Sequence, residues 1–98
     1  MAGPLAGKIA VVTGSSRGIG RGTAVALGDL CATVYVAGRS TGDGELTIDR
    51  TGALVDDAGG HGFPVQTDHG DDDQIAALFE RVRAEQGKLE ILVNNVYK

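Results

Sequence analysis

The sequence has little cysteine, no excess of positive charge and no long hydrophobic run, and each of these absences excludes a class of protein. The single cysteine, Cys31, excludes an internal disulfide framework and a metal site built from several cysteines. The net charge of −4 argues against a general binder of nucleic acid or anionic membranes, because both require a basic surface. No apolar run approaches the ~18–20 residues of a membrane span, and residues 1–7 lack the features of a secretory signal. We therefore expect a cytoplasmic protein without a nucleic-acid or membrane partner.

Glycine, by contrast, is abundant, and the positive charge is concentrated near the start of the chain. Glycine accounts for 16 of the 98 residues, about 16% against a usual ~7%. Residues 1–42 carry four basic residues and one acidic residue, a sum of +3, whereas residues 43–98 carry five and twelve, a sum of −7. The first part of the chain is therefore the part that would attract an anion.

Short apolar runs alternate with longer amphipathic segments. The run IAVVT at residues 9–13 has no polar alternation, which is typical of a strand buried on both faces of a parallel sheet. The clearest helix begins after Asp71, a plausible N-cap with Gln74 as capping-box partner, and ends at Gly87. We predict strands over 9–13, 33–37, 63–67 and 89–93, and helices over 19–30, 45–58 and 72–86.

The resulting order, βαβαβαβ, predicts an α/β fold with a doubly wound, Rossmann-type parallel sheet, because each crossover between parallel strands is right-handed. The chain ends five residues after the fourth strand, without a helix to cover that strand. We expect residues 1–98 to be the truncated N-terminal part of a single nucleotide-binding domain.

A glycine loop lies between the first strand and the first helix. Residues 13–20 read TGSSRGIG, which places glycines at the spacing G-x-x-x-G-x-G. Glycines at the start of a helix let phosphate approach backbone N–H groups and the positive end of the helix dipole. The spacing fits neither the G-x-G-x-x-G pattern nor the Walker pattern. A phosphate site is the favoured interpretation, and a turn serving only tight packing is the alternative.

This loop, together with LVNN at residues 92–95, resembles the short-chain dehydrogenase/reductase family, which binds NAD(H) or NADP(H). The resemblance extends over essentially all 98 residues, and the Asn-Asn-x-Tyr ending is similar to the dehydrogenase/reductase family member 1 branch. It implies that Asn94 is the first asparagine of the family's Asn-Asn-Ala-Gly motif. It also implies glycine-motif roles for Gly14, Gly18 and Gly20, and phosphate contacts for Ser16, Arg17 and Ile19.

The end of the second predicted strand bears on the choice of cofactor. An acidic residue there takes the ribose hydroxyls in NAD-binding folds, but this sequence has Gly38 followed by Arg39. Arg39 and Arg17 could converge on a 2′-phosphate, which by resemblance is the arrangement that prefers NADP to NAD. Arg39→Ala is then expected to remove most of the preference for NADP, and adding Gly38→Asp to that variant is expected to reverse the preference toward NAD. The alternative interpretation is that both arginines are solvated surface residues that bind no phosphate.

Further roles come from the resemblance alone. It implies that Asp68 binds the adenine amino group, that His69 lies near the adenine ring, and that the Asn94 backbone approaches the ribose. The alternative interpretation is that Asp68 only begins a loop and binds no adenine. The two histidines have no cysteine or paired carboxylate at ligand spacing, so we expect no metal site.

The family's catalytic Ser and Tyr-x-x-x-Lys are missing from these 98 residues. Tyr97 and Lys98 are adjacent, so they cannot share a helical face, and Val96 and Tyr97 replace the usual Ala-Gly. We expect no dehydrogenase activity from this chain alone. The favoured hypothesis is the NADP(H)-binding portion of a homo-oligomeric oxidoreductase that transfers hydride between nicotinamide and a carbonyl or alcohol substrate. The alternative is a non-catalytic nucleotide-binding module or a truncated gene product.

Overall fold

A computed structural model describes residues 3–95, which form one four-stranded parallel sheet with helices on both sides. The strand order is β3-β2-β1-β4, so the chain crosses over at the first strand, as a doubly wound fold requires. The predicted fold class is confirmed. The strands are β1 (Ile9–Thr13), β2 (Thr33–Gly38), β3 (His61–Gln66) and β4 (Ile91–Val93), and the helices are α1 (Gly18–Asp29), α2 (Ile48–Ala58) and α3 (Asp72–Gln86).

The core is divided between the two faces of this sheet. Alternate residues of β1 and β2 point to opposite faces, and nearly all of them are buried. On the side covered by α1 and α2, called the α1/α2 face, the core contains Val12, Val36 and Val55. On the other side, called the α3 face, Val11 and Tyr35 pack with residues of α3.

The α1/α2 face is assembled through very close approaches of backbone. A Cβ added to Gly62 in β3 would lie 2.3 Å from the carbonyl oxygen of Gly52 in α2. A Cβ on Gly28 in α1 would lie 2.8 Å from a methyl group of Val55. Part of the high glycine content therefore lets helices rest directly on the sheet and on each other.

The α3 face is filled by side chains. The rings of Tyr35 and Phe63 stack with centroids 5.1 Å apart. The Tyr35 hydroxyl donates a hydrogen bond of 2.6 Å to Oε1 of Glu85 and accepts one from Gln86. Burial raises the pKa of the Tyr35 hydroxyl, and the bond from Tyr35 lowers the pKa of Glu85.

Helix α3 has the predicted bounds, N-cap and C-cap, but Gln74 is not the predicted capping-box partner, because its Oε1 accepts from the N–H of Asp68 and the N–H of Asp71 donates to the Asp68 carbonyl. Helix α2 begins three residues later than predicted. Thr47 is the N-cap, because its hydroxyl accepts a hydrogen bond of 3.2 Å from the backbone N–H of Arg50. Leu46, predicted to lie in the helix, is therefore in the preceding loop and 53% exposed. Ile48 occupies the buried position in its place.

The other differences lie at the ends of elements. Strand β3 begins at His61, earlier than predicted, because its N–H donates to the carbonyl of Ala32 as soon as Gly59 has ended α2. It ends at Gln66, and β4 begins at Ile91. Just after α1, Cys31 adopts a left-handed φ of 73°. Among residues 3–95, no helix is long and apolar enough to cross a membrane.

Candidate functional site

The glycine loop leaves β1 at the carboxyl edge of the sheet and is held there by hydrogen bonds. Gly14 and Gly18 have positive φ angles of 61° and 63°, which glycine adopts without strain. Between them, the N–H of Ser15 donates to the Ala37 carbonyl of β2, and the Thr51 hydroxyl of α2 donates to the Ser15 carbonyl. The loop is therefore fixed relative to both β2 and α2.

Gly20 brings the first turn of α1 onto this loop. A Cβ at this position would lie 2.1 Å from the Gly14 carbonyl oxygen, closer than any packed atom can come. The third glycine of the motif thus allows the helix start to lie against the loop backbone.

The N-terminus of α1 differs from those of the other two helices in its charge. The first turns of α2 and α3 carry aspartates, which compensate the positive end of a helix dipole. The first turn of α1 has no acidic residue, and its N-cap, Arg17, makes no capping hydrogen bond. This helix start therefore retains the positive potential that favours an anion.

A cavity of about 490 Å³ opens at the carboxyl ends of β1, β2 and β3, within the usual size range of ligand sites. Six residues predicted as site residues line it together. They are Gly14, Ser16, Arg17, Arg39, Asp68 and His69.

Two of the three arginines in the basic first part of the chain line this cavity, and the third is used in the fold. The Arg21 side chain donates to the Thr51 hydroxyl and to the carbonyls of Glu45 and Thr47. Within residues 3–95, the side chains of Arg17 and Arg39 have no hydrogen-bond or ion-pair partner. The cavity wall thus carries two exposed, uncompensated guanidinium groups.

Asp68 and His69 lie on the opposite loop, after β3. The Asp68 carboxylate accepts a hydrogen bond of 2.9 Å from the Gly70 N–H, which fixes its direction. Burial lowers the pKa of His69, against the opposite effects of the Asp68 carboxylate and the Ala37 carbonyl. The His69 Nε2 atom is buried and has no hydrogen-bond partner among the described residues.

The remaining predicted site residues do not line the cavity. Gly18 and Gly20 shape the start of α1, and Ile19 is 80% exposed beside them. Asn94 follows β4, where its Oδ1 accepts a hydrogen bond of 2.9 Å from the Thr13 hydroxyl at the end of β1. Its side chain therefore ties β4 to β1.

Sequence reasoning missed three residues of the cavity lining, namely Ser40, Leu46 and Gly70. Ser40 and Gly70 follow the ends of β2 and β3, so the rule that ligands bind beyond the carboxyl ends of parallel strands could have found them. Leu46 had been assigned to a helix. The predictions about Val96, Tyr97 and Lys98 lie outside the described residues.

Comparisons with known proteins agree with this architecture. The sequence profile of the short chain dehydrogenase family matches residues 8–96. Human dehydrogenase/reductase SDR family member 1 is 43% identical over 98 residues, a match that covers 99% of this chain and 30% of that protein. The chain thus spans about a third of the length of this relative.

Two solved structures are also similar. A metagenomic short-chain oxidoreductase in complex with NADP is 38% identical, with a TM-score of 0.85 over 96% of this chain and 41% of that one. A short chain dehydrogenase from Mycobacterium thermoresistibile is 29% identical, with a TM-score of 0.87 over 95% of this chain and 34% of that one. The resemblance seen in the glycine loop is confirmed, and the chain belongs to the short chain dehydrogenase family.

Proposed function

We propose that this chain binds NADP(H) in the cavity beside the glycine loop, as the cofactor-binding portion of an oxidoreductase. The observation that carries the proposal is that Arg17 and Arg39 line the same cavity as Gly38, and that neither arginine side chain has a hydrogen-bond or ion-pair partner among the described residues. When bound, the cofactor would supply the hydride exchanged with a carbonyl or alcohol substrate.

The residues present fit such a cofactor. Gly14 and Ser16 line the cavity, and the start of α1 would offer N–H groups and a positive dipole to the pyrophosphate. A Cβ on Gly18 would meet nothing within 4 Å, so space remains open beside the loop. Ile19 would complete the phosphate contacts through its backbone, since its side chain points to solvent.

Arg17 and Arg39 would read the 2′-phosphate that distinguishes NADP from NAD. Charge-assisted hydrogen bonds contribute ~1.5–3 kcal/mol each when sheltered, and less at exposed positions such as these. We expect a preference of roughly 2–3 kcal/mol for the phosphorylated nucleotide, or about 30- to 150-fold in affinity. The metagenomic relative, solved with NADP, supports this choice.

Asp68 and His69 would contact the adenine. The Asp68 carboxylate is a suitable acceptor for the exocyclic amino group, and its bond to Gly70 holds it in place. The lowered pKa of His69 favours a neutral imidazole beside the ring. Asn94 would approach the ribose through its backbone.

The test uses ligands that occupy only the adenosine half of the site, because this chain carries that half. Calorimetric titration compares adenosine 2′,5′-bisphosphate with adenosine 5′-monophosphate. Arg39→Ala should weaken the bisphosphate about 10-fold and leave the monophosphate nearly unchanged, since only the bisphosphate carries the group that Arg39 reads. Equal losses for both ligands would mean that Arg39 supports the loop and reads no phosphate.

The matched control is Arg83→Ala, which removes another exposed arginine, one that pairs with Glu80 on α3 and does not line the cavity. It should change neither affinity. A loss in this variant would assign the effect of Arg39 to the net charge of the protein.

The activity of the whole protein is tested by extending the reading frame past residue 98. A downstream Ser and Tyr-x-x-x-Lys would support the oxidoreductase, and an immediate stop codon would support the nucleotide-binding module. The cytoplasmic location and the homo-oligomeric state stay predictions, which cell fractionation and sedimentation of the expressed protein would test.

A further inference from the structure

Gly38, the last residue of β2, lies on the cavity at the position where an acidic side chain would face the ribose. It has no positive φ, so the backbone conformation there does not require glycine. A Cβ on Gly38 would, however, lie 2.9 Å from the γ2-methyl carbon of Ile48. The side chain of Ile48 therefore occupies the space that any residue larger than glycine would need.

Ile48 has little freedom to move away. Its side chain is 1% exposed and packs in the core of the α1/α2 face. It occupies the first turn of α2, where a β-branched side chain is stiff at χ1, and its N–H donates a hydrogen bond of 2.8 Å to the Ser40 carbonyl. Both a rotamer change of Ile48 and a shift of the helix start would therefore cost free energy.

We propose, building on the NADP site argued above, that Ile48 is a positioning residue for cofactor selection. Its γ2-methyl group leaves no room for a Cβ at position 38, so a carboxylate at that position cannot enter the ribose site. Arg17 and Arg39 then meet a 2′-phosphate without a carboxylate at position 38. Selection would thus depend on a buried core residue that touches no cofactor.

A direct consequence concerns Gly38→Asp, which the sequence alone predicts to reverse the preference toward NAD when it is added to Arg39→Ala. With Ile48 in place, the new Cβ is forced against the methyl group, and the carboxylate cannot settle at the ribose. Ile48→Leu should relieve the conflict, because leucine has one γ-carbon on Cβ and keeps the volume of isoleucine. Ile48→Val is the matched control, because valine keeps both γ-carbons.

The experiment titrates adenosine 5′-monophosphate and adenosine 2′,5′-bisphosphate against Gly38→Asp, alone and combined with Ile48→Leu or Ile48→Val. We expect Gly38→Asp alone to lose affinity for the bisphosphate and to gain less than about 3-fold for the monophosphate. Adding Ile48→Leu should raise monophosphate affinity about 10-fold over Gly38→Asp, as the carboxylate reaches the ribose hydroxyls. Adding Ile48→Val should not.

A second measurement applies even if the aspartate variants fold poorly. Gly38→Ala adds only the Cβ, so it should lower the melting temperature, and Ile48→Leu should restore it whereas Ile48→Val should not. An equal response to the two Ile48 changes would overturn the proposal. So would a gain of monophosphate affinity from Gly38→Asp alone equal to that of the leucine double variant.

Failure of the proposed function would look different. If the wild-type chain bound the bisphosphate and the monophosphate equally, the NADP assignment would fail. The effect of Ile48 would still be judged by the monophosphate gain and by the rescue of Gly38→Ala.

Discussion

The two faces of the sheet are built in opposite ways. On the α1/α2 face, glycines bring backbone against backbone, so there is no room for an added atom. On the α3 face, stacked rings and a hydrogen-bonded tyrosine fill the space, so the packing depends on atoms already present. The cavity borders the crowded face at Gly38, whose added Cβ would meet Ile48 of α2. In the proposed complex, this crowding would also limit which side chains can surround the ligand.

The largest effect is expected from Gly62→Ala, which tests whether the α1/α2 face depends on close backbone packing. The added Cβ would lie 2.3 Å from the Gly52 carbonyl, so α2 must move off β3. We expect the free energy of unfolding to fall by about 3 kcal/mol, as measured by urea unfolding. Gly22→Ala, on an exposed part of α1 where a Cβ meets nothing, should instead stabilise by about 1 kcal/mol. A gain in stability from Gly62→Ala as well as from Gly22→Ala would show that helix or strand propensity, and not close packing, governs both positions.

A smaller effect is expected on the α3 face from Tyr35→Phe. This change keeps the ring stack and removes the hydroxyl that donates to Glu85, so the melting temperature should fall by a few degrees. The bond lowers the pKa of Glu85 below its ordinary 4.5 in the folded state. The contribution of the bond to the free energy of unfolding is therefore complete above pH 4.5. The contribution is lost as pH falls through the lowered pKa.

The wild type and Tyr35→Phe should therefore differ by a constant amount above about pH 5 and converge in more acidic solution. Thermal unfolding measured across this range provides the test. Glu85→Gln, which keeps an acceptor without the charge, should show no such convergence. A pH-independent difference between wild type and Tyr35→Phe would mean that the hydroxyl acts through packing alone.

The smallest expected effect comes from the end of α1, where a left-handed residue is not a glycine. Cys31 has a φ of 73°, which strains any residue with a Cβ. Cys31→Gly should raise the free energy of unfolding by about 0.5–1 kcal/mol, part of the relief being offset by the greater entropy of glycine in the unfolded chain. Cys31→Ala keeps the Cβ and should give no gain. If alanine stabilised as much as glycine, the thiol and not the backbone would be the source of strain.

The sequence predicted the features that depend on local chemistry. The capped helix α3 was found with its correct bounds, because Asp71 and Gly87 carry their own start and stop preferences. The order of elements and the parallel sheet followed from the alternation of apolar runs, and six predicted site residues share one cavity.

What the sequence did not predict depends on contacts between distant segments. The start of α2 was misplaced because Thr47, Leu46 and Ile48 all suit a helix, and only the core decides which is buried. The structural use of the Arg21 side chain could not be separated from the absence, within residues 3–95, of a partner for the Arg17 side chain, since both arginines flank glycines near the start of α1. The steric conflict between a Cβ at position 38 and the side chain of Ile48 can be seen only once the fold places the end of β2 against the start of α2.

Arg21 also bears on the kinetics of ligand capture. Every residue of the segment 39–46 along one rim of the cavity is exposed, and such a loop usually loses conformational entropy when a ligand orders it. Here the Arg21 guanidinium fastens its end through the carbonyls of Glu45 and Thr47, and the Asp49 carboxylate accepts from the Gly42 N–H. These bonds hold one end of the rim in place without a ligand. In the proposed complex, association would therefore need no slow closing step, and affinity differences between nucleotides would appear mainly in their dissociation rates.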